Sequence, residues 1–331
     1  MSPTPIDLIA GKIAEVRSLA ITSHLRPDGD SLCTALALAY AVEQMGKEVA
    51  VIHRDKTPVP FKTFPDCGRI LIGQIPPGVY DAVVLLECAD VSRSGQERIG
   101  DYFKINIDHH YSNDYYADIN WVNPQASAVG EMALELCERL PIALTPRIAN
   151  HLYCAIVSDT GSFQFSNTRA ESFEACAKLV RAGADPIRVS ESLFHNNLAG
   201  KVKLLGAVLS TLTTSDDGTI AVITMFRKDI EAAGLSEVDT EDITTQARSI
   251  KGVDIVLFFK EIDRDVFRVS IRSRGDAHAA GIAEHFGGGG HAHAAGFTVS
   301  GPYERLIREV PAEVESLLRL RTQSPGSAAG A

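Results

Sequence analysis

Lys104-Ile105-Asn106-Ile107-Asp108-His109-His110 decides the fold. A short aliphatic run that stops in one acid and two imidazoles reads as a strand delivering polar groups to the edge of a sheet. Working outward, the same pattern recurs. Leu19-Ala20-Ile21-Thr22 precedes His24-Leu25-Arg26-Pro27-Asp28-Gly29-Asp30-Ser31, and Ala82-Val83-Val84-Leu85-Leu86 runs into Glu87 and then Asp90. Downstream, Ala155-Ile156-Val157 leads to Asp159-Thr160-Gly161-Ser162-Phe163. In a parallel α/β sheet, ligands gather at the carboxyl ends of the strands. Apolar runs that all end this way are expected to converge there.

The organisation around these runs supports that expectation. Strand-like segments at 19–21, 48–52, 82–86 and 104–107 alternate with helical stretches. Residues 31–45, rich in Ala and Leu, form one such stretch and stop at Gly46. This rhythm predicts a parallel sheet with helices on both faces. From 126 to 195 the chain reads as mainly helical, punctuated by Pro141, Pro146, Gly161, Gly183 and Pro186. Residues 197–212 read as a connecting helix, with Leu198, Val202, Leu205, Leu209 and Leu212 as a core-facing stripe. After the turn Asp216-Asp217-Gly218, strand-like runs at 219–225, 255–259 and 267–271 predict a second, smaller α/β domain. The expected plan is a first domain at 1–195, a linker helix at 196–214 and a second, smaller domain at 215–318. A tail from 319, mostly Ser, Gly, Ala and Pro near its end, is expected to be disordered.

Composition narrows the function. The chain of 331 residues is 45% hydrophobic and 22% charged, as in an ordinary globular protein. Its apolar runs fall short of a membrane span, and residues 1–7 lack the pattern of a secretory leader. Six cysteines without a CxxC pair predict buried, reduced thiols and a cytoplasmic setting. A net charge of −10 argues against long duplex nucleic acid, whose binding needs many phosphate-neutralising cations. Small phosphorylated ligands fit, because a metal and a few fixed donors supply local positive charge.

Carboxylates mixed with histidines, and no cysteine pair, suit Mn²⁺ or Mg²⁺. Pro27 and Gly29 favour a tight turn that places His24, Asp28 and Asp30 close together, with the two acids free to serve different ions. Capping of the following helix by Asp30 or Ser31 is the simpler alternative. Asp108 suits an acceptor that fixes a histidine tautomer. His109 suits a metal ligand, and His110 is left to contact phosphate or donate a proton. Near the C-terminus lies Phe286-Gly287-Gly288-Gly289-Gly290-His291-Ala292-His293-Ala294-Ala295-Gly296-Phe297. Its glycine run is expected to be a loop whose bare N–H groups, at Gly288, Gly289 and Gly290 beside His291, cradle phosphate. Arg272-Ser273-Arg274 closes a strand and adds guanidinium groups for phosphate. Arg272 sits at the strand end, whereas Arg274 suits a surface role equally well.

Together, Asp-His-His, His-x-x-Pro-Asp-Gly-Asp-Ser, Asp-Thr-Gly-Ser-Phe and the late Gly-Gly-Gly-Gly-His-x-x-Ala-Ala-Gly resemble the DHH–DHHA1 phosphoesterases over roughly residues 10 to 318. The most similar branch is the bacterial bifunctional oligoribonucleases, or nanoRNases, that also dephosphorylate 3′-phosphoadenosine 5′-phosphate (pAp). The resemblance implies two Mn²⁺ ions in the first domain, with Mg²⁺ or Co²⁺ as substitutes, and substrate contacts from the second. It implies His24 and Asp28 on one ion, and Asp30, His109 and Asp159 on the other. The bridging carboxylate falls at Glu87, ahead of the turn Arg93-Ser94-Gly95, with Asp90 as runner-up. Three positions depart from the family pattern: Glu87 stands where Asp is usual, Ala292 where a basic residue is common, and Gln164 follows Phe163.

The expected activity is hydrolysis of a phosphoester by a metal-activated hydroxide. The resemblance implies pAp and RNA or DNA oligomers of about two to five nucleotides as substrates, linear dinucleotides among them, and the acidic net charge agrees with short rather than long strands. Membranes are not among the expected partners, and a homodimer is an option the sequence does not decide. Two rivals remain at this point, an Mn-dependent inorganic pyrophosphatase and a non-catalytic nucleotide-binding regulator. The glycine run argues against the first, and the intact ligand set against the second.

Overall fold

The computed structural model describes residues 3–58, 61–62, 64–195, 197–235, 241–275, 277–291 and 293–322. The chain divides into two units, Met1–Asn196 and Asn197–Ala331.

In the first unit, α1 (Pro5–Glu15), β1 (Ser18–Ser23), α2 (Gly29–Gln44), β2 (Glu48–His53), β3 (Leu71–Ile72), β4 (Ala82–Leu86), β5 (Phe103–Asp108) and β6 (Ile119–Val122) precede four helices. These are α3 (Val129–Arg139), α4 (Pro146–Asp159), α5 (Ala170–Arg181) and α6 (Pro186–Phe194). The strands run parallel in the order β3-β2-β1-β4-β5-β6. The chain builds outward from β1 in one direction and then, from β4, in the other, which opens a crevice at the carboxyl ends of β1 and β4. Both strands are buried along their whole length, and this is why they read as unbroken apolar runs.

The expectation of helices on both faces does not hold. On one face Ile21, Val84 and Ile105 pack with Ile9, Leu36, Met132, Leu152 and Leu179 from α1 to α5. On the other, Ala20, Ile52, Val83 and Leu85 meet Ile75, Ile99 and Tyr102, and no α-helical residue among those described joins that layer. The cause lies in the connection from β4 to β5, which passes through the 3-10 turns Val91–Ser94 and Ile99–Asp101. Two such turns are too short to present a helical stripe, so loop side chains cover the sheet instead. All six cysteines are buried and unbridged, as expected.

The second unit begins with α7 (Ala199–Leu209) and continues through β7 (Thr213–Thr214), β8 (Ile220–Met225), α8 (Arg227–Ala232), α9 (Glu241–Arg248), β9 (Ile255–Asp263) and β10 (Val266–Ser273). It closes with α10 (Ala279–His285), β11 (Gly289–His291), β12 (Ala294–Ser300) and α11 (Tyr303–Thr322). Its sheet has the order β11-β12-β10-β9-β8-β7, antiparallel except where β8 meets β9. Ile220, Leu257, Phe259, Phe267 and Val269 pack with Ile282, Leu306 and Val310 on one face. Ala221, Ile223, Val256 and Phe258 pack with Leu204, Val208 and Ile243 on the other. Burying side chains the size of Phe259 and Phe267 contributes roughly 1.5–3 kcal/mol each.

Segment 196–214, expected as a linker, thus carries a helix whose Leu204 and Val208 belong to the core of the second unit. The predicted stripe is wrong: Leu198, Val202 and Leu212 are exposed. Apolar residues surround α7 on nearly every side, so helical spacing alone did not single out the buried face. Residues 319–322, expected in the tail, complete α11, while 323–331 lie outside the described residues. Among the described residues no helix is long and apolar enough to cross a membrane.

Candidate metal centre

Three of the four expected deliveries come from strand ends. His24 follows β1 directly, Glu87 follows β4, and Asp108 closes β5 with His109 next. Glu87 is held at φ +56°, a left-handed conformation that costs a residue with a Cβ about 1–3 kcal/mol. Asp159 differs. It is the last residue of helix α4, which starts at the Thr145 cap and Pro146 and buries Ile148, Leu152 and Ile156 at helical spacing. The run 155–157 is therefore the interior of a helix, and only its apolar character resembled a strand.

Among the described residues, two groups have ligand atoms that all lie within 4.8 Å of one another: His24 with Asp28 and Glu87, and Asp30 with Glu87 and His109. Glu87 belongs to both. His24 Nε2 stands 3.2 Å from Glu87 Oε2 and 3.6 Å from Asp28 Oδ2. Its Nδ1 lies 2.8 Å from the Leu25 carbonyl, which assigns the proton there and turns the Nε2 lone pair toward the acids. His109 repeats the device, with Nδ1 3.1 Å from the Ala126 carbonyl and Nε2 3.7 Å from Asp159 Oδ2. Asp159 is thus brought to His109 without entering either group. Asp90 is also outside both, because its Oδ1 accepts the Ser92 and Arg93 N–H groups at 2.8 and 3.2 Å and caps a 3-10 turn.

Asp28 caps α2, with Oδ1 accepting from Ser31 N at 3.0 Å. The alternative capping role considered for Asp30 or Ser31 therefore falls to Asp28, which keeps Oδ2 for His24. Asp30 sits against the N-terminus of α3. Its Oδ2 accepts from Val129 N at 2.5 Å, and its Oδ1 from Gly130 N and Thr34 Oγ1 at 2.9 Å. Each carboxylate oxygen has two acceptor sites, so Oδ2 retains one for a ligand.

The electrostatics call for a cation. Glu87 is 2% exposed and its Oε1 is buried without a hydrogen-bond partner. Burial and the charges of Asp28 and Asp30 push its carboxyl well above the usual range. Burial and Asp30 raise Asp159 to about 7. For Asp28, whose side chain is half exposed, desolvation acts upward, but His24 and Ser31 outweigh it and bring it to about 2. Burial opposes the charged form of His109, yet Asp30 and Asp159 raise its pKa. Clustered carboxylates with one orphaned oxygen and two imidazole lone pairs fit hard divalent ions.

Asp108 is wholly buried and serves His110. Its Oδ1 accepts from His110 Nδ1 at 2.6 Å and its Oδ2 from Asn113 Nδ2 at 2.6 Å. Burial alone would raise the Asp108 carboxyl, and these partners lower it instead. Sequence reasoning missed Asn113 and Asn106. Asn113 also donates to Asn106 Oδ1 at 2.8 Å, and Asn106 donates to the Leu85 and Cys88 carbonyls. The available signal was Asn106, a lone amide inside an aliphatic strand. His53 was missed too. It ends β2 fully buried, with neither ring nitrogen partnered, and burial with the nearby His24 lowers it to about 4.

In the second unit, Arg272 and Ser273 end β10 on opposite faces, Arg272 half-buried and Ser273 buried. Ser273 N donates to the His293 carbonyl at 3.0 Å. Arg274 instead donates from Nη2 to the Arg248 carbonyl, a surface role. The glycine run is not an open loop. Gly287 N and Gly288 N donate to Glu284 and Ala283 carbonyls and close α10 in a Schellman motif, with Gly287 at φ +74°. Gly289 and Gly290 then pair with Gly296 and Ala295 as strand β11. A Cβ on Gly288 would come within 2.2 Å of the Gly296 carbonyl oxygen, so packing as well as ligand access requires glycine there. The N–H of Gly288 is spent on the helix, contrary to the expected cradle. The His291 side chain and Ala292 lie outside the described residues.

Comparison with known proteins places this geometry. Residues 18–156 match the DHH family, N-terminal domain, and residues 206–320 the DHHA1 domain. A Thermus thermophilus protein named bifunctional oligoribonuclease and PAP phosphatase NrnA is 31% identical, over 89% of this chain and 89% of its own. An exopolyphosphatase-related protein from Bacteroides fragilis has a TM-score of 0.83 at 23% identity, covering 97% of this chain and 98% of that one. The exonuclease RecJ, crystallised with manganese, shares the fold at a TM-score of 0.50 and 14% identity, over 96% and 95% of the two chains.

Proposed function

The chain belongs to the DHH–DHHA1 family of phosphoesterases, and from that premise we propose that it is a two-metal hydrolase of pAp and short oligonucleotides, linear dinucleotides included. The observation that carries the two-ion reading is Glu87, whose carboxylate is common to both ligand groups.

In this reading His24 and Asp28 hold one divalent cation, Mn²⁺ by preference, and Asp30, His109 and Asp159 hold the second, with Glu87 between them. Bound there, such ions make water nucleophilic near neutral pH and offset charge on the phosphoryl oxygens. Asp30 is fixed by three donors, Thr34 Oγ1, Val129 N and Gly130 N. Asp108 accepts the His110 Nδ1–H and would stabilise the imidazolium form, whose Nε2–H would then hold a phosphoryl oxygen or pass its proton to the leaving oxygen. Arg272, Ser273, Gly289, Gly290 and His291 are the substrate contacts assigned to the second unit, at 215–318. The Gly288 N–H is excluded because α10 uses it.

Substrate class follows from the relative's name, which couples oligoribonuclease and PAP phosphatase activity, and from the chain's net charge of −10, which disfavours long strands. Six buried, unbridged thiols support a cytoplasmic setting. The test is a panel of pAp, a dinucleotide and pyrophosphate, each assayed after chelation and after added Mn²⁺. Cation-dependent release from pAp and the dinucleotide is expected. A clear preference for pyrophosphate would favour the pyrophosphatase, and no turnover of any would favour the non-catalytic regulator.

A further inference from the structure

Resting on the nucleotide-hydrolase reading above, we propose that Tyr111 is a stacking platform for a nucleobase next to the scissile phosphoester. Tyr111 immediately follows His110 and is 81% exposed, more than any other large apolar or aromatic side chain among the described residues. A single exposed aromatic is ordinary on a protein surface. What distinguishes this one is that the ring is held at both ends.

At one end, its Cα is bonded to His110, whose own N–H and Nδ1 are tied to buried Asp108. At the other, its hydroxyl accepts from Gln125 Nε2 at 3.1 Å. Gln125 is itself fixed, its carbonyl accepting from Arg169 Nη1 at 2.6 Å and its Oε1 from the same nitrogen at 3.3 Å. The next residue, Ala126, presents the carbonyl that orients His109. One short segment therefore positions both a metal-ligand candidate and the tip of the Tyr111 ring.

An aromatic plate fixed in place but left open to solvent loses little entropy when something stacks on it. The chemistry of the neighbourhood selects the occupant. His110 precedes the ring in the chain, Gln125 holds its hydroxyl and Arg169 holds Gln125, a polar setting that suits a heteroaromatic base with hydrogen-bonding edges better than an aliphatic surface. Stacking needs only a π-face, so such a platform accepts any base and discriminates against phosphoesters that have none. Pyrophosphate would gain nothing from it.

A thermodynamic cycle on the full chain loaded with Mn²⁺ tests this. Wild type, Tyr111→Ala and Tyr111→Phe are assayed on a dinucleotide and on the same dinucleotide made abasic at each position in turn. For one position, loss of the base should lower wild-type kcat/KM on the order of tenfold. The same change should cost Tyr111→Ala less than about twofold, while Tyr111→Phe, which keeps the ring but loses the hydroxyl tether to Gln125, should retain the base dependence with a raised KM. Gln125→Ala, which frees the ring without removing it, should raise KM for the dinucleotide and leave kcat unchanged. Equal losses in wild type and Tyr111→Ala at both positions would overturn the platform while leaving the nucleotide-hydrolase reading intact. A wild type that turns over pyrophosphate but not the dinucleotide would overturn both.

Discussion

His24 Nε2 stands 3.2 Å from Glu87 Oε2, and this contact joins the ends of β1 and β4 across the point where the sheet order reverses. Because Glu87 also reaches Asp30 and His109, its one carboxylate connects both halves of the centre. Glu87→Gln should therefore remove bound metal and cut kcat/KM by about a thousandfold, or about 4 kcal/mol. Asp90→Asn, at the cap of a 3-10 turn, should cost less than about fivefold, or about 1 kcal/mol. Metal analysis and initial rates on pAp decide the comparison, and the reverse order would move the bridge to Asp90.

Asp30 and Asp159 should separate in stability although both losses should abolish activity. Asp30→Ala orphans the Val129 and Gly130 N–H groups and should destabilise the metal-free protein by about 1–3 kcal/mol. Asp159 is the opposite case. Its folded pKa, about 7, lies above the ordinary carboxylate value, so its contribution is fully present below about pH 4 and is lost as pH rises through 7. Asp159→Asn should accordingly stabilise the metal-free protein progressively between pH 4 and 7. Denaturant unfolding after chelation reads both effects, and a destabilised Asp159→Asn would contradict the electrostatic account.

Away from the metal centre, Asp66 pairs with Arg147 through Nε at 2.8 Å and through Nη2, and accepts from buried His151 Nε2 at 3.0 Å. The Arg147 guanidinium, with His151, holds the Asp66 carboxyl far below the usual range. This contribution is present above about pH 4 and is lost as pH falls toward the folded pKa. Asp66→Asn should cost about 1–3 kcal/mol at pH 7, and the deficit should shrink on acidification below pH 4. A deficit independent of pH would show that packing, rather than charge, dominates there.

Substrate length gives a functional test. Dinucleotides to about five-nucleotide oligomers should show roughly tenfold higher kcat/KM than a strand of about 24 nucleotides, because added phosphates face an acidic protein. Arg272→Ala should weaken that preference without changing metal content. Equal kcat/KM on short and long strands would exclude a length clamp.

How much of this was legible in the sequence depended on whether a side chain's neighbours were local. β1 and β4 were readable because strands buried on both faces are apolar with little interruption, β5 because Ile105 and Ile107 lead into Asp-His-His, and α2 because its run stops at Gly46. β3 and β6, an exposed pair and a half-buried edge strand, carry no such signal. The motif led to Asp159, which lies 3.7 Å from His109, but the run before it is a helix interior, and three apolar residues do not distinguish that from a strand. The assignment of Asp108 to His110 rather than His109, and the loss of the Gly288 N–H to a helix cap, are matters of backbone direction. Residue order does not encode them visibly. Asn106 was the one available hint of the polar chain beneath the centre.

The most direct test of the central claim is an anomalous difference map from crystals of this protein soaked in Mn²⁺ and measured near the manganese absorption edge. Two peaks about 3.5–4 Å apart are predicted, one between His24, Asp28 and Glu87, the other between Asp30, Glu87, His109 and Asp159. A single peak, or a pair that does not share Glu87, would contradict the two-metal account.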